Sequence, residues 1–192
     1  QKRLAENNVN VDSKLIVEIS ESVAKAMSDA TTPQGIIAIC RIPNFDKSIL
    51  VDKTVIYLHE IQDPGNAGTI LRSADAMGLR AIVTSPNSVD LFSPKVVRAT
   101  AGSIFHLPIF QGVELDEISN KTKYLLTSHG TLSLAEIDVT KPAIWIFGNE
   151  ARGFNEGEIE AVTVSIPMTG KAESLNLSAA AAIGMHEIAK GR

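Results

Sequence analysis

The chain has little of what disulfide-bonded, zinc-binding and membrane proteins need. It contains one cysteine, Cys40, so no disulfide can form within it, and its four histidines have no Cys or His partner at metal-ligand spacing. No apolar run approaches the roughly 18 residues that cross a bilayer, and the first residues lack the apolar centre of a signal peptide. We therefore expect a metal-free cytoplasmic protein, in a reducing compartment, with no membrane partner.

Aromatic residues and excess positive charge are also scarce. Aromatic residues make up 5% of the chain. It contains 18 Lys and Arg and 22 Asp and Glu, which gives a net charge of -4. A large nucleic-acid footprint usually requires a basic excess, so this balance argues against one. With 44% apolar and 21% charged residues, the composition is instead that of a compact globular protein and excludes disorder and coiled coils.

The first 46 residues predict an incomplete small domain. The apolar spacing indicates a helix over Ser13–Ser28, and the apolar run Ile36–Cys40 indicates a strand. One helix and one strand cannot bury a core alone. Because the sequence also begins without Met, we expect residues 1–46 to be the truncated end of such a domain with its linker, followed by a second domain over 47–192.

From Lys53 onward, apolar runs of strand type alternate with helical stretches, which predicts an α/β fold with a mostly parallel sheet and helices on both faces. The strand candidates are Val55–Leu58, Ala81–Thr84, Ser103–Leu107, Tyr124–Thr127, Ile144–Phe147 and Val162–Ile166; the helix candidates are Ala67–Met77, Pro94–Ala101, Glu114–Asn120, Glu156–Ala161 and Asn176–Lys190. Ligands of such sheets bind beyond the carboxyl ends of the strands.

The common nucleotide and hydrolase motifs are missing at those strand ends. Gly148 and Gly153 have P-loop spacing, but Phe154-Asn155 stands where Lys and Ser or Thr belong. No G-x-G-x-x-G follows a strand, and no G-x-S-x-G elbow is present.

The stretch from His59 to Gly78 follows the first predicted strand. Asp63-Pro64-Gly65 is typical of a turn, Asn66 is a suitable N-cap, and Gly78 is placed to end the helix. Arg72 is open to two interpretations, a surface cation paired with Asp75 or a functional residue.

Two further segments follow later strands. Gly148-Asn149-Glu150 with Gly153 predicts either a bent loop whose amides approach a ligand or an ordinary turn with a Glu150–Arg152 pair. In Ile166-Pro167-Met168 through Ser178, Pro167 ends a strand and Ser174 or Asn176 caps a helix. Two polar caps exceed what one helix needs, which favours function.

Together and in this order, the three segments resemble the signature motifs of the SpoU-type RNA 2′-O-ribose methyltransferases of the SPOUT superfamily. The matching residues are Asn66 through Arg72, Phe147-Gly148-Asn149-Glu150 with Gly153, and Ile166-Pro167-Met168 through Ser174-Leu175-Asn176-Leu177-Ser178. The opening section resembles the end of the ribosomal-protein-like domain of many members, including the Thr32–Ile36 junction.

The resemblance implies S-adenosylmethionine as methyl donor, a C-terminal trefoil knot and a homodimer. It implies cofactor-binding loops around Gly148, Ile166, Met168 and Leu175, with Ser128 as a further wall residue. It places Asn66, Arg72, Glu150, Ser174 and Asn176 at the catalytic centre. Arg72 is the family's proposed base; because guanidinium stays protonated, an alternative has Arg72 hold a phosphate while Glu150 or water accepts the proton.

The expected substrate is RNA, with ribosomal RNA favoured over transfer RNA by the remnant domain. A catalytically silent RNA- or ribosome-binding protein is the alternative from another class. RNA affinity would come from a local basic patch with Lys95, Arg98 and Arg152, and from residues preceding the sequence.

Overall fold

The computed structural model describes residues 11–28, 30, 35–118, 120–148 and 159–191. The chain divides into two compact units, Gln1–Pro43 and Asn44–Arg192. No helix among the described residues has both the length and the apolar character needed to cross a membrane.

The first unit is less regular than predicted. A 3₁₀ turn at Ser13–Leu15 is capped by Asp12, and helix α1 spans Glu21–Met27. One helix over Ser13–Ser28 is therefore wrong, because Ile16 is extended and Ser20 caps a new helix through a 3.3 Å bond from Val23 N. The strand over Ile36–Cys40 is also wrong: Ile39 is 90% exposed, and the described residues before Asn44 supply no second strand to pair with.

The second unit is built on a seven-stranded sheet in which every observed pairing is parallel. Its strands are β1 (Val55–Leu58), β2 (Ile82–Thr84), β3 (Ile109–Phe110), β4 (Lys123–Leu126), β5 (Leu132–Ser133), β6 (Ile144–Phe147) and β7 (Val162–Ser165), in the spatial order β3-β2-β1-β6-β4-β7-β5. Its helices are α2 (Ile49–Asp52), α3 (Pro64–Ala76), α4 (Pro94–Ala99) and α5 (Leu177–Lys190). The predicted mostly parallel α/β fold is confirmed.

Both faces of the central strands are buried, since successive side chains enter different cores. Ile56 and Leu58 pack on one face with α3, α4 and α5, whereas Val55 and Tyr57 pack on the other with Leu50 of α2. The three longer helices therefore share one face, and the second face is covered by α2 and connecting segments. The continuous apolar runs of β1 and β6 follow from this two-sided burial.

Short elements differ most from prediction. Ser103–Leu107 is not a strand: left-handed Ala101 and Gly102 lead into a 3₁₀ turn at Ser103–Phe105, and the strand is Ile109–Phe110. The sequence does not predict β5, because two residues are too few to show the alternation of a strand. Glu114–Asn120 forms only a 3₁₀ turn at Leu115–Glu117, where Glu114 and Glu117 make a capping box. Half of the predicted Glu156–Ala161 helix, residues 156–158, lies outside the described residues, and 159–161 are not helical.

Candidate functional site

A cleft of about 480 Å³ opens at the carboxyl ends of β4, β6 and β7. One group of lining residues is polar and the other apolar. The polar group is Asn66, Thr127, Ser128, Ser174 and Asn176; the apolar group, with Gly148, is Leu126, Phe147, Ile166, Met168, Leu175, Leu177 and Ala180. The cleft therefore offers an apolar slot with a polar rim, at the edge where parallel sheets bind ligands.

The structure brings most of the predicted site residues into this cleft. Ser128, Gly148, Ile166, Met168 and Leu175 all line it. So do three of the predicted catalytic residues, Asn66, Ser174 and Asn176. Glu150 lies outside the described residues, as do Asn149, Arg152 and Gly153.

Arg72 does not line the cleft. It is exposed on α3, six positions after Asn66 and so about 120° away around the helix. The predicted pair with Asp75 is absent from the described contacts, because the Asp75 carboxylate lies 2.8 Å from His106 Nδ1. Arg72 thus occupies the outward face of the helix that carries Asn66.

The start of α3 sets the position of Asn66. Asp63 is the N-cap, accepting a 2.7 Å bond from Asn66 N, and Pro64 occupies the first turn. The prediction of Asn66 as the cap is therefore wrong by three positions, since an Asp before Pro caps equally well. Gly78 ends the helix as predicted, with a φ of 71°. Asn66 itself lies in the first turns of α3 and lines the cleft.

Asn176 links the start of helix α5 to the start of helix α3. It is the N-cap of α5, and its Oδ1 accepts bonds from Ser178 N at 2.9 Å and Ala179 N at 3.3 Å. Its Nδ2 donates to Asn66 Oδ1 at 3.2 Å. Of the two predicted caps, Asn176 is thus the one used, which leaves Ser174 exposed on the cleft wall.

Gln62 forms hydrogen bonds with both the turn that follows β1 and the turn that follows β2. Its Nε2 donates to the carbonyl of Asn87 at 2.6 Å and that of Glu60 at 3.3 Å. Glu60 and Asn87 have φ values of 48° and 63°, and Glu60 N bonds Ser85 Oγ at 2.7 Å. Because non-glycine residues rarely adopt such values, these bonds stabilise the turn that leads into α3.

The apolar wall depends on close packing by α5. A Cβ on Gly184 would lie 3.3 Å from Phe147 Cε1, so this glycine lets the helix approach the end of β6. Sequence reasoning missed Phe147, Leu126, Thr127, Leu177 and Ala180 as cleft residues. The rule that ligands bind at strand ends could have found Leu126, Thr127 and Phe147.

The described side chains that line the cleft are uncharged. Its lining contains amide, hydroxyl and apolar groups and no Asp, Glu, Lys or Arg within the ranges that the structure describes. No cluster of three metal-ligating side chains occurs among those residues either. Such a cleft fits a flat, weakly charged ring in its slot and a hydroxyl-bearing group at its rim.

Comparison with known proteins identifies the family. The model of the SpoU rRNA Methylase family matches residues 53–186. The Bacillus subtilis 23S rRNA (guanosine(2553)-2'-O)-methyltransferase RlmP is 32% identical, over 88% of this chain and 71% of its own. The SpoU methyltransferase AviRb of Streptomyces viridochromogenes, solved with AdoMet, superposes with a TM-score of 0.66 at 30% identity, over 72% of this chain and 60% of its own.

A solved structure that concerns the 2-OH methylation of C/U34 on tRNA has a TM-score of 0.65 at 27% identity, over 71% of this chain and 94% of its own. The chain thus spans between 60% and 94% of the lengths of these three proteins. The motif resemblance is confirmed, and the chain belongs to the SpoU rRNA methylase family.

Proposed function

We propose that this chain binds S-adenosylmethionine in the cleft and transfers its methyl group to a ribose 2′-hydroxyl of RNA. The cleft itself carries the proposal: the residues of three separate motifs meet there, and a relative with AdoMet bound has the same fold. When bound, the donor supplies a methyl group on a sulfonium that is already activated. The protein must then align the ribose and help its hydroxyl lose a proton.

The residues present fit such a donor. Gly148 has no side chain to keep a ligand from the backbone, and the apolar side chains of Ile166 and Leu175 match the faces of an adenine ring. Met168 and Ser128 complete the wall. Ribose hydroxyls would meet backbone groups rather than a carboxylate, since the described lining has none.

The catalytic roles follow from the rim. Asn66, Ser174 and Asn176 would orient the acceptor ribose by hydrogen bonds. Arg72, a permanent cation, would hold the neighbouring phosphate and stabilise the developing alkoxide, and Glu150 or a water would accept the proton.

Ribosomal RNA is the proposed substrate. The alignment with RlmP covers more of the chain than the residues from Asn44 onward supply, so it reaches into the first unit. By contrast, among the solved structures the match covers 94% of the tRNA-related protein but 60% of AviRb, so the tRNA-related protein has little chain outside the matched part. This difference supports residues 1–46 as part of a substrate-binding domain that precedes a catalytic domain over 47–192, and favours rRNA over tRNA.

Three further properties, a knot, a homodimer and a cytoplasmic location, are part of the proposal. We propose a trefoil knot, supported by membership of the SpoU family. We also propose a homodimer in cytoplasm. The exposed α3 stripe of Gly65, Thr69, Arg72 and Ala76, together with Ile183 at 40% exposure on α5, supports a second copy beside the site.

Incubation of the protein with labelled donor and total RNA, followed by mapping of the modified ribose, tests the proposal. Arg72→Ala and Arg72→Lys should both lose most methyl transfer while donor binding by calorimetry persists. Lys141→Ala removes an exposed cation on another surface and should leave both unchanged. Normal turnover in the Arg72 variants would overturn this role, and absence of donor binding by the folded wild type would favour the silent RNA-binding alternative.

A further inference from the structure

The segment between β4 and β5 crosses over β7. In the sheet, β7 lies between these two strands, and Leu126 of β4 and Leu132 of β5 both pair with Val164. Residues 127–131, called the crossing segment below, therefore carry the chain from one side of β7 to the other.

Gly130 of the crossing segment lies directly on the backbone of β7. A Cβ built on it would lie 2.2 Å from the carbonyl carbon of Val164, 2.4 Å from Ser165 N and 2.7 Å from Val164 Cα. Carbon atoms attract each other best at about 3.5–4.0 Å, so a larger residue would push the two backbones apart by about 1 Å or more. The observed approach therefore requires glycine at this position.

Side chains of β7 hold the crossing segment against the strand. Thr163 and Ser165 are two positions apart and so project from the same face of β7. Thr131 N donates to Thr163 Oγ1 at 3.1 Å, and Thr131 Oγ1 donates to Thr163 O at 3.2 Å. Ser165 Oγ lies 3.4 Å from Gly130 O and 3.3 Å from Leu132 O and can donate to either. These bonds fix the crossing segment on that face.

The length of the crossing segment does not hold it there. Two strand spacings separate β4 from β5, about 10 Å, whereas the Cα–Cα steps from Leu126 to Leu132 can span about 20 Å. The segment therefore has enough chain to lift away from β7. Its position depends on the small size of Gly130 and on the hydrogen bonds, and not on tension in the chain.

The two backbones that touch at this crossing both continue into the wall of the cleft. Ser128 lines the cleft two residues before Gly130, and Ile166 lines it two residues after Val164. Between these points, Thr127 N donates to Val164 O at 2.9 Å. The separation of the Ser128 and Ile166 parts of the wall is therefore fixed where Gly130 meets β7.

We propose that Gly130 is a positioning residue for the methyl donor, because its contact with β7 sets the distance between Ser128 and Ile166. A slot binds a flat ring tightly only when its walls reach van der Waals contact, and a gap of about 0.5–1 Å loses about a quarter to a half of the attraction. Gly130 itself does not line the cleft and acts on the donor through these walls. The proposal rests on the proposed function, which places the donor in this cleft.

Gly130→Ala tests this role. We expect the calorimetric Kd for S-adenosylmethionine and the donor KM to rise about tenfold, with kcat at saturating donor and the affinity for RNA near their wild-type values. Partial unfolding would act differently, because it lowers kcat and the number of binding sites in the titration without changing the donor Kd. An unchanged donor Kd in the folded variant would overturn the proposal.

Gly191→Ala is the matched control. Its added Cβ would lie 2.5 Å from Val139 O, a similar overlap with backbone, at the opposite end of α5 from the cleft. It should lower the free energy of unfolding and leave the donor Kd unchanged. A rise in donor Kd equal to that of Gly130→Ala would overturn the proposal in favour of a general loosening of the fold.

Ser165→Ala decides the question if Gly130→Ala does not fold. It adds no bulk and removes the hydroxyl that bonds the crossing segment, so the donor Kd should rise about threefold. An unchanged Kd would then overturn the role of Gly130. Absence of donor binding by the folded wild type would instead overturn the proposed function, and the role of Gly130 with it.

Discussion

The side-chain amide of Asn176 donates to the carbonyl oxygen of Asn66 across 3.2 Å, joining residues 110 positions apart. The orientation of Asn176 is fixed because its Oδ1 must accept from the first amides of α5, which leaves Nδ2 for Asn66. One side chain thus both starts the last helix and aligns the rim of the cleft. These two roles can be separated.

Asn176→Asp should separate them. Aspartate caps helices as well as asparagine, so the free energy of unfolding should stay near the wild-type value, but the lost donor places a carboxylate against Asn66 Oδ1. We expect methyl transfer to fall at least tenfold. Asn176→Ala should lose the cap as well and destabilise the protein by about 1 kcal/mol. Urea unfolding and single-turnover methylation measure the two effects; full methylation activity in the Asp variant would mean that the cap is the whole role.

Gln62→Ala should lower activity more than stability. Its two hydrogen bonds are solvent-exposed, so water can replace them and the unfolding free energy should change by less than about 1 kcal/mol. The left-handed turn before α3 should loosen, and the methylation rate should fall severalfold at unchanged donor affinity. An unaltered rate would show that Asp63 and Pro64 alone position the helix.

Gly68→Ala should be strongly destabilising and Gly184→Ala should not. The added Cβ would lie 2.3 Å from Ala99 Cβ in the first case, but 3.3 Å from the Phe147 ring in the second. We expect Gly68→Ala to lose about 1–3 kcal/mol through displacement of α4. In Gly184→Ala, the better helix propensity of alanine offsets the tighter contact. Thermal unfolding compares the two, and similar midpoints would contradict the crossing geometry.

Tyr57→Phe should change alkaline stability. Tyr57 donates to Val113 O at 3.0 Å, and burial, then the charge of Glu114, raises its pKa from 10.0 to about 12. Because the neutral phenol is the favoured folded form, its contribution is present below about pH 10 and is lost as the pH rises through about 12.

At neutral pH, Tyr57→Phe should cost about 1 kcal/mol for the lost hydrogen bond. Between about pH 10 and 12, the wild type should lose stability that the variant does not, so their difference narrows. Urea unfolding across this range measures it. A difference that stays constant with pH would mean that Tyr57 ionises equally easily in both states.

The central strands and long helices could be predicted because their signals are local. β1 and β6 are continuous apolar runs, and α3 and α5 begin at polar caps. The prediction for the first unit was wrong because strand formation depends on a partner strand. Ile36–Cys40 has the composition of a strand, but the described residues offer it no neighbouring strand. The composition of a segment therefore indicates its preferred secondary structure, but a strand forms only where a neighbouring strand provides hydrogen bonds.

The cleft could be predicted from motifs, but its geometry could not. Ser128, Ile166 and Leu175 meet only because β4 lies between β6 and β7, an order that no periodicity contains. Arg72 lies outside the cleft because it is six residues after Asn66 on α3, and so about 120° away from it around the helix.

The strand order has a consequence for how the chain acquires its structure. β1, β2 and β3 can pair as soon as they are synthesised, but both neighbours of β4 come later in the chain, and Asn176 arrives with the last helix. A nascent chain therefore carries β4 unpaired until β6 has been translated, 21 residues after β4 ends, which slows folding and leaves an unpaired strand edge open to other chains. We therefore expect the yield of folded protein to depend on conditions during synthesis as well as on the stability of the finished sheet.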